Sequence, residues 1–165
     1  KGELRLDGVR LIDRAVLACR EAGCYPVHAV VRPGVDVPGA RVVVNPEPER
    51  GMRSSLEIGV AAAGDAAAVA VLLVDAPGIG AQAVADTMHA WTPGRIAVAT
   101  YAGRRGHPIV MAPSQWRAAL ELAGPDEGAR RYLQTHPDLV DEVDVDGDPS
   151  DLDTPDDLAR WQQTR

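Results

Sequence analysis

An apolar run that stops at a carboxylate constrains this chain more than any other stretch of its sequence. Residues 69–74 are six consecutive apolar residues, most of them β-branched or leucine, and Asp75, Ala76 and Pro77 follow directly. A run of this kind predicts a strand covered on both faces, as in the centre of an α/β sheet. Ligands of open α/β sheets collect beyond the carboxyl ends of the strands, so we expect Asp75 to lie at the functional edge.

The rest of the chain alternates between helical and strand spacing of apolar residues. A helix over 11–22, a strand over 27–31 and a strand over 41–44 begin this alternation, and their order suggests parallel pairing. It predicts a single three-layer α/β domain over residues 1–165 with a mostly parallel central sheet. The remaining predicted strands lie at 95–100, 109–111 and 143–145, and the remaining predicted helices begin near Leu56, Ala81, Pro113, Asp126 and Thr154.

The charge and the composition of the chain exclude some classes of binding partner. The formal net charge is -7 and the pI is near 5.0, which disfavours binding to a phosphate backbone, so we expect no nucleic-acid partner. No apolar run approaches the length of a membrane span and the first residues lack a signal-peptide core, which predicts a cytoplasmic protein with no membrane partner. Cys19 and Cys24 lack the spacing of a zinc site and are expected to be reduced structural thiols.

Acidic residues mark two places that can carry chemistry. Asp75 ends the apolar run, while Asp151 and Asp153 open a helix-start signature near the end of the chain. If these carboxylates project over the same sheet edge, they form an oxygen-donor site suited to Mg²⁺, which binds one or two carboxylates together with substrate phosphates. The alternative is that Asp75 is a turn former before Pro77 and that the other two acids cap a helix.

Basic residues mark two further places. The proline- and glycine-containing loop 45–55 ends in Arg53, Ser54 and Ser55 at the start of a predicted helix, where free N–H groups attract anions. This pattern suits a phosphate or a nucleotide, and surface arginines beside a serine cap are the alternative. A second basic turn contains Arg104, Arg105 and His107, which either contribute to a site or are solvated charges.

Six short motifs, in order, span nearly the whole chain. They are Lys1 to Gly8, the loop from Asn45 with Gly51-Met52-Arg53-Ser54-Ser55, Asp75-Ala76-Pro77, Gly106-His107-Pro108, Asp126-Glu127-Gly128-Ala129-Arg130, and Asp151 to Leu158. Together they resemble the nucleotidyltransferase family that makes the dinucleotide form of molybdenum cofactor. The Gly-His-Pro and Gly-Ala-Arg stretches favour its cytidylyltransferase branch over the guanylyltransferase branch.

The resemblance implies a Rossmann-like fold of the nucleotidyltransferase type and a Mg²⁺-dependent transfer of CMP from CTP to a phosphorylated acceptor, molybdopterin. It implies that Asp75 holds the metal with Asp153 or Asp151, and that Lys1 stabilises the triphosphate. It also implies a nucleotide- or substrate-binding role for Asn45, Gly51, Arg53, Ser54, Ser55, Pro77, His107 and Arg130, of which Arg53, His107 and Arg130 are candidates for the acceptor side.

The sequence departs from the family pattern at three places. The family's N-terminal strand and glycine-rich loop have no counterpart, although Lys1 stands where the loop's closing lysine is expected. Ala76 replaces a larger residue, and Pro125 stands where the family more often has glycine. The choice between CTP and GTP therefore stays open.

Alternative functions also stay open. One keeps the chemistry but uses GTP, or a sugar phosphate or alcohol phosphate as acceptor. Another is a non-catalytic nucleotide-binding or partner-binding domain. A molybdoenzyme or a maturation factor would be the protein partner that the resemblance suggests.

Overall fold

Strands and helices alternate along the chain in a computed structural model, which describes residues 2–152, 157 and 161. The strands are β1 (Arg5–Leu6), β2 (Val9–Arg10), β3 (His28–Val31), β4 (Arg41–Val44), β5 (Val69–Val71), β6 (Ile96–Tyr101), β7 (Arg104–Met111) and β8 (Val140–Asp144). The helices are α1 (Leu11–Glu21), α2 (Met52–Ala62), α3 (Ala81–Ala90), α4 (Pro113–Leu122) and α5 (Arg130–Thr135), and short 3₁₀ helices cover Pro48–Arg50 and Pro137–Leu139.

The described strands form three sheets. β1 and β2 are an antiparallel pair, and β3 and β4 are parallel with His28 opposite Arg41, as their order along the chain predicts. The largest sheet has the order β5-β7-β6-β8. In it β6 and β8 are parallel, with Ile96 opposite Val140, whereas β7 is antiparallel to both of its neighbours. The predicted α/β class is confirmed. β7 is the expected return strand, but it begins at Arg104 rather than near Ile109. Arg104, Arg105 and His107 therefore lie in the strand and not in the predicted turn, because Arg104 and Arg105 already pair with β6.

β6 is the strand around which the core is built. All six of its residues are buried. Ile96 and Val98 pack with Trp116 of α4, while Ala99 and Tyr101 pack with Val84 of α3 in a separate cluster. Because successive side chains of a strand point to opposite faces, this one strand holds helices on both faces of the sheet.

β5 differs from the strand that the apolar run predicts. Only residues 69–71 are in the ladder, each is half-buried, and β5 lies at an end of the four-stranded sheet rather than at its centre. An apolar cavity of about 510 Å³ is lined by residues 27–30 of the β3 region and 69–74 of the β5 region. The prediction of a central, doubly covered strand is wrong for the described chain, because β5 pairs there only with β7 and borders this cavity.

Predicted helix starts agree with the structure for α1, α3 and α4 but not for α2 and α5. α2 begins at Met52 rather than near Leu56, because Gly51 takes the N-cap position, so residues 52–55 of the predicted loop are helical. Asp126 was expected to cap a helix, but α5 begins at Arg130 with Ala129 as its N-cap and without a side-chain cap. The Glu127 carboxylate instead accepts a hydrogen bond from the Gly124 N–H at 2.9 Å, which closes residues 124–127 into a turn. The helix start predicted at Thr154 lies outside the described residues. In the described residues no helix is long and apolar enough to cross a membrane.

Candidate active site

Asp75 lies in the turn that follows β5, where the sequence predicts the functional edge. The residue is half-buried, and its Oδ1 atom is shielded from solvent. Its backbone carbonyl accepts a hydrogen bond from the Leu152 N–H at 2.7 Å. A segment distant in sequence therefore fixes the backbone that carries this carboxylate.

His107 of β7 lies close enough to Asp75 for the Asp75 charge to act on its imidazole. Burial lowers the pKa of His107 to about 4, because the charged imidazolium loses its hydration, and the nearby Asp75 carboxylate only partly opposes this shift. The imidazole is therefore neutral at pH 7. Its neighbours in the predicted basic turn differ from it, since Arg104 and Arg105 are exposed and Arg105 pairs with Glu142 at 2.6 Å.

Residues 148–152 run beside the turn that carries Asp75. The Asp148 N–H donates to the Gly78 carbonyl at 3.2 Å, and Leu152 contacts Asp75 as described above. Asp151, the residue before Leu152, is exposed. The structure thus places the segment that contains Asp151 beside Asp75. The joint role of the two carboxylates stays a prediction, and Asp153 lies outside the described residues.

The first described residue also lies close to this edge. The Gly2 carbonyl accepts a hydrogen bond from the Ile12 N–H at 3.0 Å, and a Cβ built on Gly2 would lie 3.6 Å from Val74 Cγ2. Gly2 is therefore packed against the residue that precedes Asp75. Lys1 itself lies outside the described residues.

The buried side chain of Asn45 forms hydrogen bonds that hold the predicted anion-binding loop together. Its side chain is 2% exposed, and its Nδ2 donates to the hydroxyls of Ser54 and Ser55, both at 3.0 Å. Its Oδ1 accepts from the Glu47 N–H at 2.9 Å. The Ser54 hydroxyl donates in turn to the Gly51 carbonyl at 2.8 Å. Both serines lie in the first turns of α2, and their hydroxyls help to tie the loop to this helix.

Gly51 and Arg53 hold the loop against the segment after α4. Gly51 has φ of 92°, and a Cβ built on it would lie 2.5 Å from the Pro125 carbonyl oxygen. The Arg53 N–H donates to that same oxygen at 2.9 Å, and its guanidinium donates to the Ala123 carbonyl at 2.9 Å and to Glu57 at 2.7 Å. These contacts give Arg53 a structural role, and its role on the acceptor side stays a prediction.

The remaining predicted residues have less defined surroundings. Pro77 is half-buried in the turn after Asp75, and Arg130 is exposed at the first position of α5. Ser55 lines the apolar cavity together with Leu73 and Val74, which precede Asp75. This cavity connects the two regions that the sequence marks, the α2 N-terminus and the end of β5.

The donor set at this edge suits a hard cation such as Mg²⁺. Asp75 supplies carboxylate oxygens, and Asp151 lies in the adjoining segment. Among residues 2–152, 157 and 161, no three His, Cys, Asp or Glu side chains are grouped to hold a metal. Mg²⁺ commonly takes only one or two carboxylates and completes its coordination with water and substrate phosphates. The residues present therefore fit a metal that binds together with a nucleotide.

Tyr101 and Gly78 support the site but were not singled out by the sequence. The Tyr101 hydroxyl donates to the His107 carbonyl at 2.6 Å, and burial raises the Tyr101 pKa to about 12. A Cβ built on Gly78 would lie 2.5 Å from the Asp148 carbonyl oxygen, so only glycine permits this approach. The position of Gly78 directly after Asp75-Ala76-Pro77 could have pointed to its close contact with Asp148. Tyr101 stands at the end of a predicted strand and belongs to no motif, so the sequence offered no sign of its contact with His107.

A family model and known relatives match most of the chain. The model described as the MobA-like NTP transferase domain matches residues 1–140. A protein of Paenarthrobacter nicotinovorans named nicotine blue oxidoreductase is 32% identical over 176 residues, covering 97% of this chain and 86% of the relative.

Solved structures share the fold. Rv0371c of Mycobacterium tuberculosis, in a complex with manganese, has a TM-score of 0.83 at 23% identity and covers 100% of this chain and 92% of its own. The 2-C-methyl-D-erythritol 4-phosphate cytidylyltransferase of Thermus thermophilus has a TM-score of 0.74 at 18% identity, covering 99% and 93%.

Proposed function

The chain belongs to the MobA-like NTP transferase family, and we propose that it transfers CMP from CTP to a phosphorylated small molecule with release of pyrophosphate. Molybdopterin is the acceptor we propose. The observation that carries the proposal is the match of residues 1–140 to the family model, together with the position of Asp75 in the turn after β5, where the Leu152 N–H holds its backbone at 2.7 Å.

The reaction needs alignment more than acid–base chemistry. A phosphate monoester of the acceptor attacks the α-phosphorus of CTP, a new P–O bond forms, and the bond to the β-phosphate oxygen breaks in line to release pyrophosphate. The attacking phosphate is already an anion, so no strong base is required, and the site lowers the barrier by positioning the two anions and neutralising charge. A neutral His107 offers a hydrogen bond without adding charge to this site.

Asp75, with Asp153 or Asp151 as the second carboxylate, would hold Mg²⁺. The metal, when bound, neutralises charge on the triphosphate. The manganese complex of Rv0371c, a protein of the same fold, supports a divalent metal in this role. The backbone contact from Leu152 to Asp75 would keep the carboxylate in place while the nucleotide binds.

The remaining predicted residues surround this centre. Lys1 would stabilise the triphosphate, and the packing of Gly2 against Val74 favours that placement. Arg130, which is exposed, would contact the acceptor phosphate, and Arg53 would contribute from α2. The pocket for the nucleotide or acceptor would be lined by Asn45, Gly51, Ser54, Ser55 and Pro77.

A second acceptor class keeps the same chemistry. The structural neighbour from Thermus thermophilus is named as a cytidylyltransferase of 2-C-methyl-D-erythritol 4-phosphate, which supports CTP and an alcohol phosphate on this fold. Guanylyl transfer differs only in the base. Incubating the protein with Mg²⁺, either CTP or GTP, and each acceptor in turn, and measuring pyrophosphate release, separates these cases. Release that requires CTP and molybdopterin supports our proposal, and release only with another acceptor or base replaces it.

A redox function is the candidate from a different class. The relative with 32% identity is named nicotine blue oxidoreductase, and this name is the observation that favours it. Bleaching of nicotine blue by the purified protein with a reduced nicotinamide as electron donor, together with no pyrophosphate release from CTP or GTP, would replace the proposed transfer. Pyrophosphate release without bleaching would exclude this candidate.

A further inference from the structure

Three sulfur atoms converge where α1 and α3 pack together. The Cys24 Sγ lies 3.0 Å from the Met88 Sδ. Cys19 lies in the last turns of α1, and its carbonyl accepts a hydrogen bond from the Cys24 N–H at 2.9 Å. A tight turn after α1 and one residue of α3 thus bring two thiols and a thioether together.

This sulfur cluster, defined as Cys19, Cys24 and Met88, lies on the wall of the apolar cavity. All three residues line that cavity, and both cysteines are half-buried free thiols. Both cysteines keep part of their surface exposed, so they are accessible from solvent. The cluster is chemically distinct from the carboxylates of the active site, because it presents only soft donors.

We propose that Cys19, Cys24 and Met88 form a binding site for Cu(I). Thiolate and thioether ligands select soft monovalent copper over the hard cations that suit Asp75. Binding forms three Cu–S contacts and displaces the two thiol protons to solvent, so that copper is neither oxidised nor reduced.

The two thiols differ in pKa. The hydrogen bond from Cys19 lowers the pKa of the Cys24 thiol, whereas the same bond and burial raise the pKa of Cys19. Because Cu(I) binding releases the thiol protons, the affinity for Cu(I) rises with pH.

Anaerobic titration of the reduced protein with Cu(I) against a coloured Cu(I) chelator tests the site. We expect one equivalent to be retained by the wild type. Met88→Leu, which conserves side-chain volume, should weaken retention by at least about tenfold, since losing even a supporting residue at a metal site costs 10–100-fold. Met52→Leu is the matched control, because Met52 also lines the cavity but is not among the three clustered sulfur residues.

Equal retention by Met88→Leu and Met52→Leu would overturn the proposal, as would the absence of a one-equivalent step. X-ray absorption on the copper-loaded wild type gives a test that needs no variant. Three sulfur scatterers support the site, and a two-sulfur shell or a shell of nitrogen or oxygen contradicts it. This inference is independent of nucleotide binding, so its failure leaves the proposed transfer unaffected.

Discussion

The β6 core and the Asp75 edge are built in opposite ways. β6 places six consecutive buried residues in contact with helices on both faces. The Asp75 edge is instead assembled from residues that are distant in sequence, and each of them contributes one backbone or side-chain group. These residues are Gly2, His107, Asp148 and Leu152. The core depends on a local pattern repeated along one strand, while the site depends on long-range contacts between turns. Substitutions in the two regions should therefore affect stability and activity differently.

Replacing Trp116 should have the largest effect, and it should be on stability. The side chain is 1% exposed, and its Nε1 donates to the Val69 carbonyl at 2.9 Å. Trp116→Ala should lower the free energy of unfolding by about 3–5 kcal/mol, because it leaves a large cavity and an unpaired carbonyl. Denaturant unfolding measures this. Because the side chain packs with Ile96 and Val98 of β6, a loss below about 1 kcal/mol would mean that β6 is not the main core strand.

Replacing Asp75 should affect activity instead. Asp75→Asn keeps the shape of the side chain but removes the charge, and kcat should fall by about 10²–10³ if the carboxylate neutralises charge in the transition state. The unfolding free energy should change by less than about 1 kcal/mol, since the residue lies in a half-buried turn. Pyrophosphate release and denaturant unfolding are measured together. Asp65→Asn, at an exposed position, is the control and should retain full activity.

Gly51 tests whether the loop 45–55 contributes through its shape. Gly51→Ala introduces a methyl group 2.5 Å from the Pro125 carbonyl oxygen at a positive φ, and should cost about 1–3 kcal/mol. Nucleotide affinity should fall with it, because the loop must move. Gly34→Ala is the matched control, since Gly34 has a similar φ of 84° but has no neighbouring atom within 4 Å. Thermal unfolding of the pair isolates the clash, and equal losses would show that the contact with Pro125 is unimportant.

His107 gives an effect on stability that is confined to acidic pH. Its pKa is about 4 in the folded state and near 6.5 in the unfolded chain, so the unfolded state binds the extra proton first as the pH falls. Its contribution to stability is complete above pH 6.5 and is lost as the pH falls toward 4. His107→Asn should flatten the pH dependence of unfolding between these values.

The exposed His89 is the control for this pH effect, and His89→Asn should leave the wild-type slope between pH 4 and 6.5. The same slope in His107→Asn as in the wild type would show that His107 does not stay neutral in the folded protein.

The sequence predicted the core elements better than the site. Helical spacing located α1 and α3, and the run of β-branched residues located β4, because these signals are local. The sequence also predicted that Asp75 lies beyond β5 and that the segment containing Asp151 lies near it, and the structure has both in these positions. It misjudged how much of residues 69–74 would pair, since strand pairing depends on neighbours that periodicity does not identify. It missed Tyr101, whose hydroxyl reaches the His107 carbonyl only through the fold of β6 against β7.

The most direct test of the central claim is calorimetric titration of CTP and GTP into the protein with and without Mg²⁺, repeated with Asp75→Asn. We predict Mg²⁺-dependent binding that prefers CTP and that loses its Mg²⁺ dependence in the variant. Binding of neither nucleotide to the wild type would contradict the assignment of a nucleotide site. Unchanged Mg²⁺-dependent binding in Asp75→Asn would contradict the role given to the Asp75 edge.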